Sequence, residues 1–334
     1  MMKTRIQFIT CQHIAENLLL IGVTSSLIQP FLVAAPNEQQ NIWCNREHIS
    51  KQQLIFHNSR NKVIPKEDNM KKKSVYFPEM TRKEIEAYLK TTGDKSRVIL
   101  PVGSTEQHGT HLPVSTDTLI ALEVAMRTAP ELDALIAPPI AFGLSDDHRP
   151  AGGVISIKLN TLSMLIKDVV SSLSEQGFRE IIALNGHYTN AWTILHSICE
   201  MQQQLPKGTI AFGLSYWDAL TQEQMAEFIS MKAGVHANHA ETAAVLAIDE
   251  SLVDMDEAPD EWPSFPKMRT GVLTILNSYF LTRPGAMIMA SKSGSWGDTT
   301  KATAADGIKL LEWFTQATIN MIRDIEDTYR HFPG

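Results

Sequence analysis

The run EIIALNGH, Glu180 to His187, sets four consecutive apolar residues between a glycine-terminated helical stretch and an Asn-Gly turn. A strand that is apolar on both faces must be covered on both, which an open antiparallel sheet does not provide. SRVILPVG, ending at Gly103, and TIAFGLSYW, ending at Trp217, have the same character. ALIAPPIAFG and GGVISI read as further strands, the first confined in its pairing by Pro138 and Pro139. Amphipathic stretches separate them. EMTRKEIEAYLK opens on Thr81 with Glu84 three residues on, a capping box. TDTLIALEVAMRTAPEL begins near Thr116 or Asp117, and TLSMLIKDVVSSLSEQ starts at a Thr161 cap. The latter carries Leu162, Leu165, Val169 and Leu173 on one stripe and stops at Gly177. NAWTILHSICEMQQQL, a stretch near 221–233 and a long C-terminal segment complete the helices. Strands alternating with helices predict an α/β fold around a mostly parallel sheet, built as one domain from about residue 70 onward.

The chain has 334 residues, 43% apolar and 20% charged, enough for a substantial core. A net charge of −7 gives no basic footprint, so nucleic acid is not an expected partner. Cys11, Cys44 and Cys199 are too scattered for a disulfide framework or a thiolate metal site, and Cys199 reads as a buried thiol. That usage suits a reducing, cytoplasmic compartment. Residues 1–69 differ from the rest: an apolar stretch broken by His13, Glu16 and Pro30, then a polar, Asn- and Gln-rich segment. They read as a non-structural extension, poor as a membrane span, with a cleaved export signal as the alternative.

In parallel sheets, active groups gather where strands end and loops begin. Three polar clusters stand at such places: Glu106, His108, His111 and Asp117; NGHYTN, Asn185 to Asn190; and His236, His239 and Glu241. Imidazole with carboxylate suits Zn²⁺, Mn²⁺ or Fe²⁺. Glu106 and His108, two apart, point the same way in an extended segment. Asp117 near a helix start is placed to bridge two ions, and Gly186 would let the chain turn so that His187 faces the same mouth. Each has an ordinary alternative: Asp117 as a cap, Asn185-Gly186 as a turn, and His239 and Glu241 as first-turn helix residues.

PVGSTEQHGTHLPVSTDT (Pro101–Thr118), NGHYTN and HANHAET together resemble the creatininase (creatinine amidohydrolase) family. GLSDDHRPAGGVIS and GSWGDTTKATAADG are similar to two further family segments, so the resemblance spans about residues 76–325. It implies a three-layer αβα sandwich, a dinuclear centre of two divalent ions (Zn with Zn, Mn or Fe), a homo-oligomer that is often hexameric, and hydrolysis of non-peptide amide bonds, including cyclic amides and formamides. Carried over, Glu106 and His187 hold one ion with Asp117, while His108 and Asp117 hold the other. Creatininase itself has a glutamate two positions after the histidine of its NGH. Here that residue is Thr189, and Glu241 is the candidate replacement. Thr189 therefore counts against creatinine as the substrate.

A metal pair acidifies water and polarises a carbonyl, and a histidine is the natural proton donor to the departing nitrogen. His236 is assigned that role, with His239 competing, while His111 orients a ligand or closes the turn before Pro113. Tyr188, His239 and Trp217 are the candidate substrate contacts; Trp192, Tyr216 and Trp296 also lie near the motifs. Two other readings stay open. One is hydrolysis of a formamide or of a carbohydrate-derived ring or lactone, and the other is a non-catalytic metal- or ligand-binding member.

Overall fold

Four parallel strands form the central sheet of the computed structural model, which describes residues 74–332 apart from 231, 268 and 270–274. The expectations for residues 1–69 lie outside the described residues. In chain order the elements are α1 (Arg82–Thr92), β1 (Arg97–Val102), α2 (Thr116–Thr128), β2 (Ala134–Ile136), α3 (Leu159–Gln176), β3 (Glu180–Asn185) and α4 (Ala191–Met201). They continue with β4 (Ile210–Ser215), α5 (Gln222–Phe228), α6 (His239–Asp249), β5 (Asp260–Glu261), α7 (Ala286–Ala290), β6 (Gly297–Asp298) and α8 (Ala304–His331). The sheet order is β2-β1-β3-β4, and β5 pairs antiparallel with β6 in a small ribbon. No helix among the described residues is long and apolar enough to cross a membrane.

Side chains alternate across the sheet, so each strand feeds two cores. Val98, Leu100 and Val102 of β1 point to the side covered by α1, α3 and α4, where they meet Tyr88, Leu162, Ile166 and Ile198. Ile99 of β1 and Ile182 and Leu184 of β3 point to the other side, against α2, α6 and α8. Helices thus cover both faces, as the double-sided apolar runs require. The long α8 lies against α6 at a close approach: a Cβ on Gly307 would stand 1.8 Å from the Ala243 carbonyl oxygen.

Local signals set most boundaries. The Thr81–Glu84 capping box opens α1, and Gly177, left-handed at φ 111°, closes α3. Other details differ from expectation. α3 begins two residues before Thr161, behind Lys158, so Thr161 caps nothing. Its buried stripe is Leu162, Ile166, Val170 and Leu173, while Leu165 is exposed, because the face in contact with the sheet follows the 3.6-residue period through Ile166. β2 stops at Ile136 before the two prolines, and GGVISI makes one bridge, Gly143 with Ser156, rather than a strand. Cys199 is exposed, one position past the buried Ile198 on α4.

α1 is tied to the sheet by one hydroxyl. Tyr88 Oη accepts the Arg97 N–H at 2.9 Å, at the start of β1, and donates to the Asp133 carbonyl at 2.7 Å, just before β2. Tyr88→Phe removes an acceptor from a buried N–H. It should destabilise the chain by about 1–3 kcal/mol, read from urea unfolding.

Candidate metal centre

The sheet order places β1 between β2 and β3, so the chain winds in opposite directions from β1, and a crevice opens beyond the carboxyl ends of β1 and β3. Glu106 follows β1 and His187 follows β3 at this point. Asp117 comes from the first turn of α2, where the helix dipole favours its charge. Gly186 serves a different purpose from the turn expected of it. A Cβ there would lie 2.4 Å from the Asp117 carbonyl oxygen, so its small size lets the end of β3 reach the first turn of α2.

Asp117 stands between two imidazoles. Its Oδ2 is 2.9 Å from His187 Nδ1, and its Oδ1 is 3.2 Å from His108 Nε2. Glu106 Oε2 is 3.2 Å from the same His187 nitrogen. Glu106, His108, Asp117 and His187 are all buried. Glu106 Oε2, His108 Nε2 and Asp117 Oδ2 lack any well-formed hydrogen bond, an unusual state for buried polar atoms and one that a cation would relieve. Each imidazole is braced through its other nitrogen. His187 Nε2 donates to the Leu144 carbonyl at 2.8 Å, and His108 Nδ1 donates to the Glu106 carbonyl at 3.3 Å. Those partners fix the ring orientations that turn His187 Nδ1 and His108 Nε2 toward the carboxylates.

Among the described residues, three groups could hold a metal ion, each with its donor atoms within 4.8 Å of one another: Glu106–Asp117–His187, His108–His236–Glu241, and Glu106–His148–His236. The first two share the expected ligands between them. Glu241 sits in the first turn of α6, where one carboxylate oxygen accepts the Asn238 N–H at 3.3 Å in a capping box. Thr189 is turned away from a ligand role: its hydroxyl donates to the Leu144 carbonyl and lies against His187 Nε2.

His148 and Asp147 are new members. Both are buried in the short turn Asp146–His148 of the GLSDDHRPAGGVIS segment. Gln107 Nε2 donates to His148 Nδ1 at 2.9 Å, which aims His148 Nε2 at Glu106 Oε1, 3.4 Å away. His148 thereby engages the Glu106 oxygen that does not face His187. A histidine preceded by two acids inside a motif-like segment is the sequence signal for it.

His236 lies between these groups. Its Nε2 donates to the Gln107 carbonyl at 2.9 Å, and its Nδ1 faces Glu106 Oε1 at 3.9 Å. His239 does not reach the cluster. It opens α6 and turns outward, 3.6 Å from Asp306 of α8, so neither the substrate contact nor the proton-donor role expected of it has a place there. His111 is also apart, hydrogen-bonded through Nε2 to Thr242 Oγ1 at 2.8 Å, and braces the loop rather than a ligand. The cluster opens into a cavity of about 330 Å³, lined in part by Tyr188, Thr189, Trp217 and His236. Tyr216 and Trp296 are buried in the cores and Trp192 lies on the surface.

Burial and neighbouring charge divide the titrating groups. Burial alone would lower His108 and His187, but the carboxylates around them, Asp117 and Glu106 above all, raise them to about 9 and about 10. Burial raises Glu106 and the Asp117 charge raises it further, against the pull of His187. Burial would raise Asp117 too, yet His108 and His187 hold it well below the usual range. Burial, with the His108 charge, lowers His236 to about 3, so it is neutral at physiological pH. The two cationic histidines stabilise the metal-free fold fully below their ordinary value of 6.5, and this contribution is lost as pH rises through about 9–10. Glu106, which favours its neutral form, acts in the same direction. The chelator-treated protein should therefore melt at progressively lower temperature from about pH 6.5 to about pH 10, as followed by calorimetry.

The family model for creatininase, described as creatinine amidohydrolase, matches residues 78–322. Creatinine amidohydrolase from Pseudomonas putida is 32% identical over 209 residues, 58% of this chain and 80% of that protein. The mycofactocin precursor peptide peptidase of Mycolicibacterium smegmatis is 31% identical over 226 residues, 64% of this chain and 79% of that protein. A solved structure named "Creatininase Mn" superposes with a TM-score of 0.61 at 26% identity, covering 78% of this chain and 100% of that one. The fold, the motif positions and these matches agree: the chain belongs to the creatininase family of hydrolases.

Proposed function

We propose that this protein is a metal-dependent hydrolase that cleaves a non-peptide C–N bond, an amide, cyclic amide or formamide, in a small molecule. The observation that carries the reading is the shared Asp117 carboxylate, whose two oxygens face His187 and His108 while Glu106 Oε2 and His108 Nε2 have no other partner. Glu106, Asp117 and His187 would hold one divalent ion; His108 and Glu241, which group with His236, would hold a second together with Asp117, whose Oδ1 lies beside His108, the ions being Zn with Zn, Mn or Fe. When bound, such ions activate water and polarise a carbonyl.

The chain's own residues do the rest. His148 and Gln107 orient Glu106; the Leu144 and Glu106 carbonyls orient His187 and His108. Water oxygen adds to the carbonyl carbon, the C–N bond breaks, and the proton released by water passes through His236 Nδ1 to the departing nitrogen. His236 Nε2 is committed to the Gln107 carbonyl, so its Nδ1, on the cluster side, is the nitrogen placed to accept that proton first. Tyr188 and Trp217 flank the substrate. Thr189 in place of the glutamate of creatininase disfavours creatinine itself. The peptidase name of the mycobacterial relative supports a second reading, in which the bond cut is peptide-like.

Asp117→Ala should lose bound metal on elemental analysis and turnover with it. His236→Ala should keep its metal and lose about 10²–10⁴-fold in kcat on a panel of lactams, formamides and short peptides. Metal loss in His236→Ala would instead make His236 a ligand, and a wild-type protein purified without divalent metal would end the hydrolase reading.

We assign the exposed apolar ridge of α3 and α4, Leu159, Met164, Trp192 and Leu195, to contact between subunits of a homo-oligomer. Trp192→Asp should shift the species seen by sedimentation velocity toward monomer. A wild-type protein that sediments as a monomer refutes the assignment.

A further inference from the structure

The cavity has two unlike ends. Toward the sheet it presents Glu106, Asp117, Asp147 and Glu241 with the histidines; away from it the wall is apolar, and no Lys or Arg stands among the described lining residues. Such a wall gives an anionic group no partner, whereas an uncharged apolar group would shed water against carbon on most sides.

The apolar wall is built before any ligand arrives. Phe280 and Met287 are buried and pack with Trp296 in a small core of their own, the Phe280 and Trp296 rings 5.9 Å apart between centroids. Gly285 donates its N–H to the Asp146 carbonyl at 2.9 Å, which ties this segment to the turn that carries Asp147 and His148. Trp217, after β4, is packed edge-on to the buried Tyr216 and completes the opposite side. A wall held from both sides costs a ligand little ordering.

We propose that the substrate carries an uncharged, apolar group of ring or short branched-alkyl size beside the scissile bond, and that this group is bound by Trp217, Ile229, Phe280, Leu281 and Met287. The inference rests on the metal-dependent hydrolase reading and narrows it: phosphorylated or carboxylated amides are excluded as good substrates.

Hydroxamates test this, since they anchor at a metal and vary freely in their tails. Binding of acetohydroxamate, butyrohydroxamate, benzohydroxamate, 4-methylpentanohydroxamate and succinate monohydroxamate to the metal-loaded full chain is measured by calorimetry, with tryptophan fluorescence as a second signal. Affinity should rise about fourfold per methylene entering the cavity. Succinate monohydroxamate should bind at least about tenfold more weakly than its uncharged isostere, 4-methylpentanohydroxamate. Leu281 is only partly buried, so Leu281→Lys is expected to fold, as checked by circular dichroism, and to abolish or reverse that discrimination. Equal affinities across the series, or a preference of the wild type for the carboxylated tail, overturn the apolar wall and leave the metal centre standing. A protein that retains no metal overturns the hydrolase reading and this inference with it.

Discussion

A carboxylate taken out of water is costly unless its charge is matched by partners of good geometry. Asp117 is matched in charge, with one oxygen beside His187, one beside His108 and the positive end of α2 beneath it, while Oδ2 is left without a well-formed hydrogen bond. The three residues come from different parts of the chain: the loop after β1, the first turn of α2, and the end of β3. Their meeting depends on the sheet order, because only where β1 and β3 lie side by side do their two following loops share one crevice. It also depends on Gly186, whose missing side chain leaves room for the Asp117 backbone.

Around this point the molecule is layered by chemistry. Nearest are Glu106, His108, His187 and Glu241, several with a nitrogen or oxygen facing inward and little else to bond. Behind them stand the groups that fix their orientation, the Leu144 and Glu106 carbonyls, Gln107 and His148. In front lies the cavity, acidic at its base and apolar at its rim. Desolvation acts on every group of the site; it prevails at His236, His148 and Glu106, whereas neighbouring charge prevails at His108, His187 and Asp117.

Much of this was legible from local pattern. The double-sided apolar runs of β1, β3 and β4 required covered strands, and the Thr81–Glu84 box and Gly177 set helix ends where they occur. Glu106, His108, Asp117, His187, His236 and Glu241 converge as the motifs suggested. Thr161, Leu165 and Cys199 were misread because helix start and helix rotation depend on which face meets the sheet, and a shift of one position moves a residue from core to solvent. His239 was misread for a related reason. It is three residues from His236, but it begins a helix whose buried side belongs to Ala240, Ala243 and Ala244, which leaves its ring facing Asp306.

The sequence by itself determined the α/β layering, the capping of α1, and the stock of imidazoles and carboxylates at the ends of β1 and β3, since these follow from side-chain period and backbone preference over a few residues. The tertiary structure alone decided that His148 stands beside Glu106, that Thr189 is spent on a carbonyl, and that Phe280 and Met287 close an apolar wall over an acidic floor. Those facts depend on distances between segments up to about 180 residues apart in the chain, such as Glu106 and Met287, and no local preference encodes such a distance; it is set by how the packed layers meet.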